Sequence, residues 1–301
     1  MIVYIMGRGY SGSTMLSSLI GNSDSIENVG ELISGMRRYP NTIVSSGRKI
    51  TEDPFWCGVT QRSSTLYGKS FEEIATLLFK TSHPREIVSI LGSSRNSHKW
   101  SQVILANKSL QEAIKCESNK EHFLDSSKDV TRALSLLKTT ADARVIYLVR
   151  DIASVIASCE KRVLAGEGFQ FLRRRYHGKQ WESLFIFVTA ASWTVGNLIR
   201  ELICSLYSSR VLRVRYERIC ANPEKEFFRI GEFLGVDMSG ISSGIKDGAE
   251  FAVGQGLGGN RIRFSESFVF NPDVGKVAKF SRRTRLFSIL GLPLKLFRFY
   301  R

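Results

Sequence analysis

Four sets of residues in this 301-residue chain have the types and spacing to handle an anion or a proton. The first is Gly7-Arg8-Gly9-Tyr10-Ser11-Gly12-Ser13-Thr14, which follows the phosphate-cradle spacing G-x-x-x-x-G-K-[S/T] except that Ser13 stands where lysine is expected. Glycines let the backbone curl around an anion, and a helix opening at Ser13 would turn unpaired N–H groups and its dipole toward it. Without the lysine the loop suits a phosphorylated ligand better than transfer of an NTP γ-phosphate, which leans on that cation. An ordinary tight turn between strand and helix is the alternative. The second set is Arg150 with Ser158, two helical turns apart, where one guanidinium and one hydroxyl could meet a second anionic group. The third is the glycine-rich run over 248–264, with Gly248, Gly254, Gly256, Gly258, Gly259, Asn260, Arg261 and Arg263, able to fold over a phosphate or to serve only as a linker. The fourth pairs Glu31, one short connection past the cradle, with Lys128, which follows Ser126 and Ser127.

These residues need elements to position them. Residues 2–6 read as a buried strand feeding the glycine turn and a helix. Further strands are expected at His122–Leu124, at Arg144–Val149 and at Val211–Tyr216, the last closing at Glu217, each followed by a helix of 3.6-residue period. Strands alternating with helices predict an α/β, P-loop-like, three-layer fold with a central parallel sheet flanked by helices. Ligands of such sheets gather at the strands' carboxyl ends, where Lys128 and Arg150 fall. Residues 40–70 read as loops and short helices, with Phe55-Trp56 as local core or a ligand platform. Helical periodicity resumes at 71–80 and near 102–116. Residues 160–182 are basic and aromatic, either a solvated face or a trap for an acidic substrate. A long helix over about 183–207 carries Leu184, Phe187, Val188, Ala191, Val195, Leu198, Ile199, Leu202 and Leu206 on one broad apolar face. After Asn222-Pro223 a further helix closes at Gly235.

At 43% hydrophobic residues the chain can build a sizeable core. Five scattered cysteines without C-x-x-C spacing, and four histidines, suggest neither a disulfide framework nor a metal centre. The apolar run Met1–Met6 is too short for a secretory leader, and no uninterrupted apolar run reaches membrane-spanning length, so a cytoplasmic protein is expected. Of the net charge of +15, eight units lie in residues 274–301, which hold no acid, so the chain divides into a domain over 1–273 and a basic amphipathic tail. Charges interleaved with leucines and phenylalanines suit an anionic membrane surface, at the inner face of the membrane, or a helix docked on the core with its arginines in water. Nucleic acid is not the expected partner.

The ordered set of strand, cradle and helix, strand with Arg150 and Ser158, the segment 214–235, and a late Gly-Asn-Arg loop resembles the sulfotransferases that use 3′-phosphoadenosine 5′-phosphosulfate. The bacterial members similar to tyrosylprotein and glycan sulfotransferases are nearest in pattern, and the likeness covers residues 2 to about 265. It implies that Gly12, Ser13 and Thr14, within the loop of Arg8, Gly9, Tyr10 and Ser11, hold the 5′-phosphosulfate. Arg150 and Ser158 would hold the 3′-phosphate, and Gly259, Asn260 and Arg263 would close over the donor. Glu31 matches the catalytic base, and Lys128 the lysine that assists the departing phosphate, leaving adenosine 3′,5′-bisphosphate. The expected reaction is in-line sulfuryl transfer to a hydroxyl of a glycan or glycolipid, with no metal. One position departs from the pattern: Tyr10 stands where the family carries arginine or lysine, so Arg8 or Lys128 supplies the cation or turnover suffers. The rival classes are a P-loop phosphotransferase and a noncatalytic membrane- or nucleic-acid-binding protein.

Overall fold

A computed structural model describes residues 1–94, 97–164, 179–272 and 280–300. Most of the basic and aromatic segment, residues 165–178, and residues 273–279 at the start of the tail lie outside the described residues. Five strands, β1 (Ile2–Gly7), β2 (Ile26–Asn28), β3 (His122–Lys128), β4 (Arg144–Val149) and β5 (Val211–Arg215), form one sheet in the order β2-β3-β1-β4-β5. Every neighbouring pair is parallel. Side chains alternate across β1 as the pleat requires: Ile2, Tyr4 and Met6 enter one core and Val3 and Ile5 the other. Both faces are therefore covered, which is the physical reason β1 and β4 read as continuous apolar runs rather than alternating ones.

On one face lie α1 (Ser13–Gly21), α10 (Tyr216–Ala221), α11 (Pro223–Leu234) and α12 (Ser239–Asp247). The other face carries α2 (Leu32–Met36), α3 (Pro54–Tyr67), α4 (Phe71–Thr81), α6 (His98–Ser118), α7 (Val130–Thr139), α8 (Ile152–Leu164) and α9 (Lys179–Leu206), with the short α5 (Ile87–Gly92) at its rim. Local signals set the helix starts. Asp53 caps α3 through Trp56 N–H ahead of Pro54, Ser70 and Glu73 form a reciprocal capping box on α4, and Asn222 caps α11 ahead of Pro223.

Several expectations from sequence need adjusting. Ile26–Asn28 is a strand, three residues long and too short to leave a pattern. Residues 54–67 form a 14-residue helix rather than short pieces, and Trp56 is fully buried with its indole N–H donating to Gln255 O at 3.0 Å. The last strand stops at Arg215, and Tyr216 already opens a helix. The largest difference is α9, whose broad apolar face looks outward: Phe187, Val188, Val195, Leu198, Ile199 and Leu202 are exposed while Thr189, Asn197, Arg200 and Glu201 are buried. A hairpin, β6 (Glu250–Ala252) with β7 (Ser267–Val269), brackets the glycine-rich loop. In the tail, α13 (Arg282–Ser288) and a 3-10 turn over Ile289–Leu296 pack on the core, with Thr284 and Leu294 fully buried.

Candidate active site

β1 is the middle strand, so the turn that follows it opens at the centre of the sheet's carboxyl edge, between the ends of β3 and β4. Register places Lys128 beside Met6 on one flank, and Arg150 follows β4 on the other. The topology alone thus sets one cation on each side of the cradle.

The cradle is shaped by a left-handed Gly12 (φ 89°) that caps α1 without any side-chain oxygen, leaving the first amides of that helix free of a capping group. A β-carbon at Gly12 would fall 2.4 Å from the ring of Tyr216, so glycine is required by space as well as by φ. Ser11 is buried and closes the turn by donating its hydroxyl to Arg8 O at 2.7 Å. Tyr10 also takes a left-handed conformation (φ 70°). Its carbonyl accepts from Arg150 Nη1 at 3.1 Å, while the Arg150 guanidinium stacks over the Tyr216 ring at 4.6 Å. From beneath, Arg200 Nη2 donates to Gly7 O at 2.7 Å, fixing the entry to the loop.

Across the cleft, Lys128 Nζ donates to Glu31 Oε1 and, at 3.4 Å, to Ser126 O. Lys128 is itself left-handed (φ 74°), which turns its side chain out of the strand and into the cleft. Ser126 and Ser127 do not join it. Ser126 N donates to Gly30 O, and Ser127 Oγ accepts from Ile33 N at 3.0 Å, so both fasten α2 and its lead-in to the sheet. Gly30 (φ 65°) lets the late glycine loop come close enough for Glu31 N to donate to Gly258 O; a β-carbon there would meet that carbonyl at 2.8 Å. The same loop places Asn260 N within 3.4 Å of Thr14 Oγ1, and Arg263 Nη1 donates to Gly259 O.

These residues wall a cleft of about 730 Å³: Arg8, Gly9, Tyr10, Gly12, Ser13, Thr14, Glu31, Lys128, Gly259 and Asn260 line it, as do Tyr216, Arg261 and Phe270. Ser11 lies beneath the turn and Arg263 behind the loop, while Arg150 reaches the cleft through Tyr10 and Tyr216. Ser158 does not line it, and its hydroxyl donates back to Ser154 O at 2.8 Å. Another cleft, about 790 Å³ and bounded by α10, α11 and α12, has Glu224, Glu232 and Asp237 against a single Lys246, a balance that repels anions.

The charges of the main cleft favour an anion. Arg8 loses proton affinity chiefly through burial, with Arg200 adding to it, and its Nε is buried with no hydrogen-bond partner among the described residues. Burial, then Asp125, pushes the Asp129 carboxyl up to about 6, and burial pushes the Tyr216 phenol up to about 12. Tyr216, Arg200 and Asp129 escape a motif reading. Tyr216 had one signal, its place at the end of the last strand; Arg200 sits mid-helix and had none.

An all-parallel sheet with a glycine cradle at its central carboxyl edge, flanked by cations and faced by a carboxylate, defines a P-loop-like α/β transferase. The profile of the sulfotransferase family matches residues 3–240, and the chain belongs to that family. Among solved structures it is similar to the sulfotransferase domain of the Synechococcus PCC 7002 olefin synthase, at 16% identity and TM-score 0.48, over 98% of this chain and 94% of that one. A sulfotransferase from Mycobacterium tuberculosis H37Rv is 17% identical at TM-score 0.47, over 80% of this chain and 69% of that one. Retinol dehydratase, solved with androsterone and the inactive cofactor PAP, is 15% identical at TM-score 0.40, over 98% and 80%. No curated protein matches significantly.

Proposed function

We propose that this sulfotransferase takes its sulfuryl group from 3′-phosphoadenosine 5′-phosphosulfate and delivers it to a hydroxyl of a glycan or glycolipid. The observation that carries the reading is the Glu31–Lys128 ion pair set across a cleft from a lysine-free phosphate cradle. The residues suit the donor: α1 has an uncapped N-terminus for one anionic end, the buried Arg8 Nε has a bond left to give, and Arg150 is fixed at the opposite flank. Ser13, Thr14 and the amides of α1 would hold the 5′ end; Arg150 would hold the 3′-phosphate, and Ser158 on α8, which lies outside the cleft, would join it only by giving up its bond to Ser154 O. Gly259, Asn260 and Arg263 would close the loop over it and exclude water. Bound donor supplies the transferable sulfuryl group and an adenosine 3′,5′-bisphosphate leaving group.

The chain's own part is proton and charge handling. Glu31 Oε1 accepts the proton of the acceptor hydroxyl as general base. Lys128 Nζ, with the α1 amides, stabilises the negative charge that gathers on the leaving oxygen. For Lys128 to do so it must give up part of its bond to Glu31, which at the same moment frees the carboxylate to act. Arg8 supplies the cation that Tyr10 cannot. The excess of basic residues in the tail supports an acceptor presented at an anionic membrane on the cytoplasmic side.

The test is a panel of glycans and glycolipids incubated with the enzyme and sulfur-radiolabelled donor, followed by mass spectrometry. A sulfated product formed by the wild type and missing with Glu31→Gln supports the proposal. Label transfer that persists in Glu31→Gln removes the base assignment, and turnover of Mg-ATP in place of the sulfate donor would favour a phosphotransferase.

A further inference from the structure

The helix α9 is built inside out. Between Ser183 and Leu206 its only charged residues, Arg200 and Glu201, are buried, as are Thr189, Thr194 and Asn197. They are used internally: Arg200 holds Gly7 O, Asn197 Oδ1 accepts from Tyr147 OH, Glu201 accepts from Arg213, and Thr194 donates to Leu290 O in the tail. The outward side carries Phe187, Val188, Val195, Leu198, Ile199 and Leu202, each exposed and spaced at i, i+3, i+4 and i+7. Together they run about 23 Å along the helix. Water-facing helices of this kind place their polar residues outside, so a stripe of large apolar side chains over about four turns marks a surface that something covers.

The tail extends that stripe. It lies alongside α9, with Phe187 and Phe287 edge to face at 6.1 Å and Arg283 paired to Glu182 at 2.7 Å. There it adds exposed Leu286, Ile289 and Leu292. Beside them stand Arg282 and Arg285, both exposed, in a segment that holds no acidic residue. An apolar strip bordered by cations is the composition of an element lying in a bilayer interface.

We infer that the outer face of α9 and the adjoining tail form one docking surface for an anionic lipid bilayer. The charge decides the occupant. A second copy of this chain, related by a two-fold axis, would bring its own Arg282, Arg285 and the rest of a tail without acids against the same groups, whereas anionic headgroups complement them. The segment Glu182–Leu206 is long and apolar enough to cross a membrane, with a mean hydropathy of 1.3. It lies on the bilayer instead, because Phe185, Ile186, Trp193 and Ile203 on its inner side belong to the protein core. The surface deepens the reading of a membrane-borne acceptor and rests on it only for its purpose. The test therefore uses no donor or acceptor, and it can fail while sulfuryl transfer stands.

The experiment is co-sedimentation of the full chain with vesicles of phosphatidylcholine alone and of phosphatidylcholine mixed with phosphatidylglycerol. The expected result is binding to the mixed vesicles only, weakened by salt. Leu198→Glu with Leu202→Glu, and separately Arg282→Glu with Arg285→Glu, should each lower that binding by about tenfold or more. Circular dichroism melts and light scattering on the same samples establish that the variants are folded and what size they are. Absence of vesicle binding, equal binding to neutral vesicles, or unchanged binding by folded variants overturns the inference. So does a wild-type dimer that the Leu198/Leu202 variant turns into monomer, since a second copy then covers the face.

Discussion

Lys128 Nζ donates to Glu31 Oε1 across a gap of nearly a hundred residues in sequence, so the proposed base and the proposed leaving-group cation rest on one another at the mouth of the cradle. Glu31→Gln keeps the shape and removes the proton acceptor, and turnover should fall by about 10²- to 10⁴-fold. Lys128→Ala should lower kcat by about 10²-fold or more through lost charge stabilisation. In both variants the Kd for adenosine 3′,5′-bisphosphate should move by less than about tenfold, since uniform binding lies elsewhere. Single-turnover kinetics beside calorimetry separate the two effects.

Arg150 is held between the Tyr10 carbonyl and the face of Tyr216. Lysine has a charge but neither the planar fork nor the stacking surface, so Arg150→Lys should weaken bisphosphate binding by about tenfold. Tyr216→Phe keeps the ring and should bind within about twofold of wild type, whereas Tyr216→Ala should resemble Arg150→Lys. Calorimetric titration of the three variants checks the order.

Arg8 has a buried Nε without a hydrogen-bond partner among the described residues, and Tyr10 lines the same cleft with a phenol that brings no positive charge. Removing a charge-assisted donor costs about 1.5–3 kcal/mol, so Arg8→Ala should reduce kcat/KM for the donor by roughly 10- to 100-fold. Adding Tyr10→Arg to that variant should restore part of the loss, because both residues bear a β-carbon and the left-handed backbone is strained equally by either. An Arg8→Ala enzyme with wild-type kinetics would remove Arg8 from the site.

The Asp129 carboxyl, raised from 3.8 to about 6 by burial first and Asp125 next, gives a pH signature. Between about pH 4 and 6 the folded chain keeps a proton that the unfolded chain has released, so this group's contribution falls as pH rises through that window and is level above it. Asp129 still reaches solvent, and screening keeps the effect below about 1 kcal/mol. Denaturant midpoints measured from pH 4 to 7 should show Asp129→Asn gaining on the wild type as pH rises, then running parallel to it.

How far the sequence reaches can be read from particular residues. The cradle, Lys128 and Arg150 were legible because each sits where a buried strand ends, and a parallel sheet gathers such ends at one edge. Glu31 needed the family pattern, since a carboxylate one connection past a helix has no local mark. Tyr216, whose ring closes over Gly12, was hidden by its aromatic, strand-like character, and Arg200 by its place in the middle of a helix. The apolar stripe of α9 was visible, but its direction was not. Periodicity identifies a face, while only the polar partners on β1, β4 and β5 decide which face turns inward.

The cleft between Gly12, Lys128 and Arg150 is proposed as a site for a nucleotide with anionic groups at both ends. Isothermal titration of the full chain with adenosine 3′,5′-bisphosphate tests it most directly. One saturable site is expected, weakened at least about tenfold in Arg150→Lys and unaffected by magnesium. A flat titration, or equal heat with adenosine 5′-monophosphate, would contradict it.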